Sequence, residues 1–103
     1  MSYKNLYQET YDFLMKNYHT LSDIKYIICN GLDVDITEFF KQAQKYSYDS
    51  GYGIEEVNTT LMIVGDNWWL ERHSYDGAEW WEYKEKPQRP ATKGPVKLKE
   101  EWL

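Results

Sequence analysis

Cysteine occurs once in this 103-residue chain, at Cys29, histidine twice, proline three times and glycine six times. A single thiol excludes an intrachain disulfide and any zinc finger built on several cysteines. So little proline and glycine, beside 42% hydrophobic and 17% aromatic residues, excludes collagen-like and low-complexity chains. Long apolar runs are missing as well. None approaches the roughly 20 residues that cross a bilayer, and Met1 to Asn5 leads into Tyr, Gln, Glu and Asp rather than the apolar core of a signal peptide. The expectation is a cytoplasmic protein with no membrane partner. Phosphate-binding glycine loops, G-x-S-x-G, H-E-x-x-H and dinucleotide-binding glycine patterns are all absent. No catalytic residue, cofactor or metal is therefore assigned, and the chain is read as a non-enzyme.

What is present is charge of unlike sign in two parts, within a net charge of −5. Residues 1–83 hold 14 acidic and 6 basic side chains, and residues 84–103 hold 3 acidic and 6 basic. An acidic body repels nucleic-acid phosphates and attracts basic protein surfaces, which argues against direct nucleic-acid binding. Lys86-Pro87-Gln88-Arg89-Pro90 through Lys93-Gly94-Pro95 has the make-up of an extended linker. These boundaries predict one α+β domain over 1–84 and a basic, proline-containing tail over 85–103. That tail reads as a mobile chain end in which only Val96, Leu98, Trp102 and Leu103 are able to dock, the alternative being a short partner-docking segment that uses Trp102 and Leu103.

Tyr3, Leu6, Tyr7, Tyr11, Leu14, Met15 and Tyr18 recur at three- and four-residue spacing, which predicts a helix over about 3–18 with Ser2 as its cap. Ile24 to Cys29 is short and β-branched and stops at Asn30-Gly31, the pattern of a strand and turn. Asp35-Ile36-Thr37-Glu38 has capping-box spacing, and Ile36, Phe39, Phe40, Ala43 and Tyr46 continue as a helical stripe to about 46. Tyr48 to Gly53 reads as a loop.

From Val57 the period changes to two. Thr59–Val64, Trp68–Tyr75 and Ala78–Lys84 are strand candidates, and Asp76-Gly77 is a hairpin turn of the I′ type. A two-residue turn fixes the register. It pairs Tyr75 with Ala78, His73 with Trp80, Glu71 with Glu82 and Trp69 with Lys84 on one face. Ser74 with Glu79, Arg72 with Trp81 and Leu70 with Tyr83 fall on the other, where Leu61 and Ile63 join them and the helices should pack. The predicted architecture is α+β: two helices on one face of a small antiparallel sheet ending in a three-stranded meander.

Tyr48-Asp49-Ser50-Gly51-Tyr52-Gly53, followed by the stretch from Val64 to Lys84 with its doubled tryptophans around His73-Ser74-Tyr75-Asp76-Gly77, resembles a group of small proteins encoded by phages and prophages of Gram-positive bacteria. The likeness covers about a third of the chain. It implies a phage or prophage origin and action in the cytoplasm of a bacterial host, and it carries no assigned activity with it. Small acidic phage proteins of this size include inhibitors of host defence, anti-CRISPR proteins among them. That step is an analogy of size, charge and origin.

The candidate partner-binding residues are Trp69, Glu71, His73, Tyr75, Asp76, Glu79, Trp80 and Glu82. Glu71 and Glu82 stand opposite each other and repel, a conflict that Lys or Arg from a basic partner would relieve while its stem rests on Trp69 and Trp80. Glu79 and Asp76 would add charge, and Tyr75 an apolar anchor. The paired carboxylates match those of glycosidases in type only, since a flat sheet offers little cleft. Cys29, His19, His73, Asp33 and Asp35 are zinc-ligand types at spacings that match no zinc pattern. The sequence thus predicts an acidic binding protein that inhibits a host nucleic-acid-handling defence complex by occupying its basic surface, a CRISPR effector nuclease being one such target. The alternatives are a phage structural or assembly protein that homodimerises through the aromatic sheet face, and a small carbohydrate-binding protein.

Overall fold

Asn5 decides where the first helix begins. Its side chain accepts the Gln8 N–H at 3.0 Å, so helix α1 runs Leu6–Lys16 rather than starting at residue 3. The predicted cap, Ser2, lies outside the residues the computed structural model describes, which are 3–51 and 53–100. Tyr3–Asn5 instead forms strand β1, paired antiparallel with Ser47–Asp49, a stretch whose glycine-rich continuation had suggested a loop. The helix ends at Asn17 with Tyr18 at φ 65. The His19 N–H reaches the Leu14 carbonyl at 2.9 Å, and the Tyr18 N–H reaches that of Met15 at 3.0 Å. This is a complete Schellman ending with tyrosine where glycine is usual.

After a single 3-10 turn at Leu21–Asp23, strand β2 spans Tyr26–Cys29. Asn30 and Gly31 both have positive φ, so the chain folds straight back into strand β3, Leu32–Val34, which periodicity had not revealed. Asp35 caps helix α2, Ile36–Ala43, by accepting the Glu38 N–H at 2.8 Å. The helix stops three residues short of the predicted Tyr46. Strand β4 is Ser47–Asp49, and β5 is confined to Met62–Val64 because Asn58 turns the preceding chain by accepting the Thr60 N–H at 2.9 Å. Strands β6, Trp68–Tyr75, and β7, Ala78–Glu85, follow. Asp76 and Gly77 both have positive φ, and the β6–β7 register is residue for residue that expected from a two-residue turn.

Among the described residues the sheet order is β3-β2-β5-β6-β7, antiparallel throughout, with β1-β4 as a separate pair. The meander is β5-β6-β7. Both helices lie on one face of the larger sheet, burying Leu6, Leu14, Phe40 and Ala43 against Ile27, Ile63, Leu70 and Trp81. Each fully buried side chain of that size contributes on the order of 2 kcal/mol. Gly65 sits directly beneath the Trp68 indole, where any Cβ would collide with the ring. Residues 86–100 carry no helix or strand and are exposed. Trp102 and Leu103 lie outside the described residues.

Candidate functional site

Helices on one face leave the other face of the sheet open, and alternation puts two rows of side chains on it. One row is Tyr26, Val64, Trp69 and Lys84, and the next is Ile28, Met62, Glu71 and Glu82. His73 and Trp80 form a shorter third row, with Tyr75 beyond them at the hairpin end. Most of these residues are half-buried, while Tyr26 and Tyr75 are exposed, and the core cluster includes none of them. Met62 and Val64 of β5 continue this face across the meander, and Tyr26 and Ile28 of β2 extend it beyond. Sequence reasoning missed the β2 residues because β2 joins β5 through a long-range pairing.

The carboxylates at the centre are held in place by neighbours two positions away. Trp69 donates its indole N–H to Glu71 at 2.7 Å, and Trp80 donates to Glu82 at 3.1 Å. His73 Nε2 lies 2.7 Å from a Glu71 oxygen and 3.8 Å from Glu82, and Lys84 Nζ is 3.5 Å from Glu82. The Trp69 hydrogen bond, followed by that of His73, holds the Glu71 carboxyl below its ordinary range. The Trp80 hydrogen bond does the same for Glu82, with His73 and Lys84 adding to it. Both groups are therefore anions at neutral pH despite facing each other. Indole N–H donors and imidazole supply the positive end of the interaction.

Six of the eight candidate residues, Trp69, Glu71, His73, Tyr75, Trp80 and Glu82, share this face. Asp76 is exposed in the turn. Glu79 is not part of the surface. It lies on the helix-covered face at 4% exposure, where it bonds Arg72 at 3.1 Å and accepts the N–H groups of Glu56 and Val57 at 2.7 and 3.1 Å. The reason is the two-residue period itself, which puts residue 79 across from Ser74 and beside Trp81. Its charge is committed inside the fold and cannot serve a partner.

Arg72, also inward, carries the buried network that the sequence reading did not identify. Its guanidinium bonds Glu9 at 3.2 Å, Glu79 at 3.1 Å and the Tyr48 hydroxyl at 3.0 Å, and it stacks 4.8 Å from the Trp81 ring. Burial disfavours the Arg72 charge, but Tyr48, Glu9 and Glu79 more than offset that, so its pKa rises. Burial, and then the bond to Glu9, push the Tyr48 hydroxyl well above its ordinary value. The available signal was an arginine and a glutamate at inward positions of an alternating hairpin, which demand buried partners.

His19 does not meet Cys29, Asp33 or Asp35. It stacks on Trp68 with ring centroids 4.1 Å apart and bonds the Tyr83 hydroxyl at 2.9 Å. Among the described residues no group of three or more His, Cys, Asp or Glu side chains is placed to hold a metal ion. Nor is any described helix long and apolar enough to cross a membrane. No protein-family model, curated protein or solved structure matches the chain.

Proposed function

We propose that this is a binding protein whose open sheet face occupies a basic surface of another protein, and that the partner is a nucleic-acid-handling defence complex of a bacterial host. The observation that carries the reading is the pair of ionised carboxylates, Glu71 and Glu82, fixed by indole N–H groups in the middle of an uncovered apolar face. Contiguous exposed apolar surface is the usual mark of an interaction site. Aromatic anchors around fixed charges suit Arg and Lys stems with their cationic ends. The acidic balance of the chain favours fast encounter with such a surface. Catalysis is the weaker reading, because acid–base carboxylate pairs need one member with a raised pKa and both of these are lowered. The choice of a host defence complex, a CRISPR effector nuclease included, rests on the resemblance to phage proteins.

The test is capture from lysate of a Gram-positive host at low and moderate salt, comparing the natural chain with a Trp69→Ala, Glu71→Lys variant. Glu71→Lys turns a like-charged cross-strand pair with Glu82 into an opposite one, so the hairpin should be retained. The expected result is recovery of a nucleic-acid-handling complex that is lost in the variant and lost as salt rises. Equal recovery by the variant overturns the assignment of the face. Recovery of phage structural components alone favours the assembly role.

A further inference from the structure

Strand β7 is an edge of the five-stranded sheet, and only part of that edge is in use. Within the hairpin, Ala78, Trp80, Glu82 and Lys84 turn their backbone groups toward β6, so Glu79, Trp81, Tyr83 and Glu85 turn theirs outward. Two bonds beyond the ladder follow this parity. The Glu79 N–H goes outward to the Ser50 carbonyl at 2.9 Å, and the Lys86 N–H goes inward to that of Asn67 at 2.7 Å. Among the described residues no backbone partner is found on the outer side for Trp81, Tyr83 or Glu85. Ser50 blocks the edge at residue 79. At the other end Pro87 has no N–H to offer and stops any ladder. The usable edge therefore runs from 80 to 86, and its midpoint is Tyr83.

We infer that this edge pairs antiparallel with the same edge of a second copy of the chain, about a two-fold axis at Tyr83. Three symmetric registers keep the outward groups facing each other near the middle of the edge, and side-chain charge separates them. Centring on residue 82 sets Glu82 against Glu82; centring on 84 sets Lys84 against Lys84 and, although it sets Glu82 opposite Lys86 twice, places Pro87, which has no N–H, opposite Trp81. Centring on Tyr83 sets Glu82 opposite Lys84 of the second copy twice over and brings Lys86 to Trp80. Like charges directly opposite destabilise a ladder and opposite charges support it, so the Tyr83 register is selected. It also uses the whole edge between the two blocks. Trp81 and Glu85 then exchange backbone bonds across the axis, and Tyr83 pairs with itself. A groove of about 580 Å³ lies between β1, α1 and Trp80 and Trp81, at the hairpin end of this edge. Self-pairing answers the liability of an eight-residue edge strand, and the closed two-fold arrangement leaves no further β7 edge to propagate aggregation. The open face described above remains free in both copies.

The test uses the full chain in sedimentation velocity and native mass spectrometry over a dilution series from nanomolar to high micromolar. The natural chain is expected at twice its monomer mass. Glu82→Lys and Lys84→Glu should each weaken self-association by at least about tenfold, because each turns two matched pairs into repelling ones. Mixing the two variants should restore a dimer made of one of each, and the Glu82→Lys, Lys84→Glu double variant should restore the homodimer. The last two results also show that the variants fold. A natural chain that stays monomeric throughout overturns the inference. So does single-variant association at unchanged strength, or a mixture that remains monomeric.

Discussion

His73 Nε2 stands 2.7 Å from Glu71 and 3.8 Å from Glu82, so one imidazole bridges two carboxylates that the ladder places directly opposite each other. The bridging is possible because His73 follows Glu71 by two positions on the same face. An unfavourable cross-strand pair thereby becomes a fixed anionic centre with two indole donors at its sides.

Acid should weaken the fold through this centre. Glu71 and Glu82 both titrate lower in the folded chain than when unfolded. They contribute stability that is fully present above the ordinary glutamate range and is lost as pH falls through their depressed values. Urea unfolding of the natural chain should show an acid limb, and Glu71→Gln should flatten it by lowering stability at neutral pH, the two chains converging in acid. An acid limb of unchanged slope would remove the centre from the pH dependence.

Removing Arg72 should be far costlier than removing any charge on the open face. Arg72→Met leaves the buried Glu79 without its cation and the partly buried Glu9 with only the Tyr48 hydroxyl. Breaking one side of a buried ion pair typically costs about 3–5 kcal/mol, a large share of the roughly 5–15 kcal/mol that holds a domain of this size. The midpoint of urea unfolding reads this directly, and a loss below about 1 kcal/mol would mean the network is not a stabilising element.

Tyr18 should be improvable. It occupies a left-handed position at φ 65 with its side chain 95% exposed, so its ring earns nothing by burial. Tyr18→Gly relieves a conformational cost of about 1 kcal/mol that L side chains carry there. Thermal unfolding should show a midpoint higher by a few degrees, about 4–8 °C per kcal/mol in a small domain. A lower midpoint would show that the tyrosine ring supports the helix end.

The hairpin was legible because a two-residue Asp-Gly turn leaves one register, and every β6–β7 pair follows from it. Helix α2 was legible from its Asp35 cap and apolar stripe. The start of α1 was not, because Tyr3 falls on the helical stripe but finds a strand partner in Asp49, 46 positions away. Strand β3 was missed for a related reason. Three residues bear too little pattern, and only the Asn30-Gly31 turn with its positive φ brings Leu32–Val34 back onto β2.

Local chemistry alone thus determined the α+β class, the second helix and the faces of the meander, since caps, turns and two-residue alternation act over a few residues. Tertiary structure decided that the open face widens across β2, and which strand becomes the free edge. It also decided that Arg72 finds Glu9 and Tyr48, 63 and 24 positions away. These are matters of which distant segments meet, and no periodicity within one segment encodes its partner.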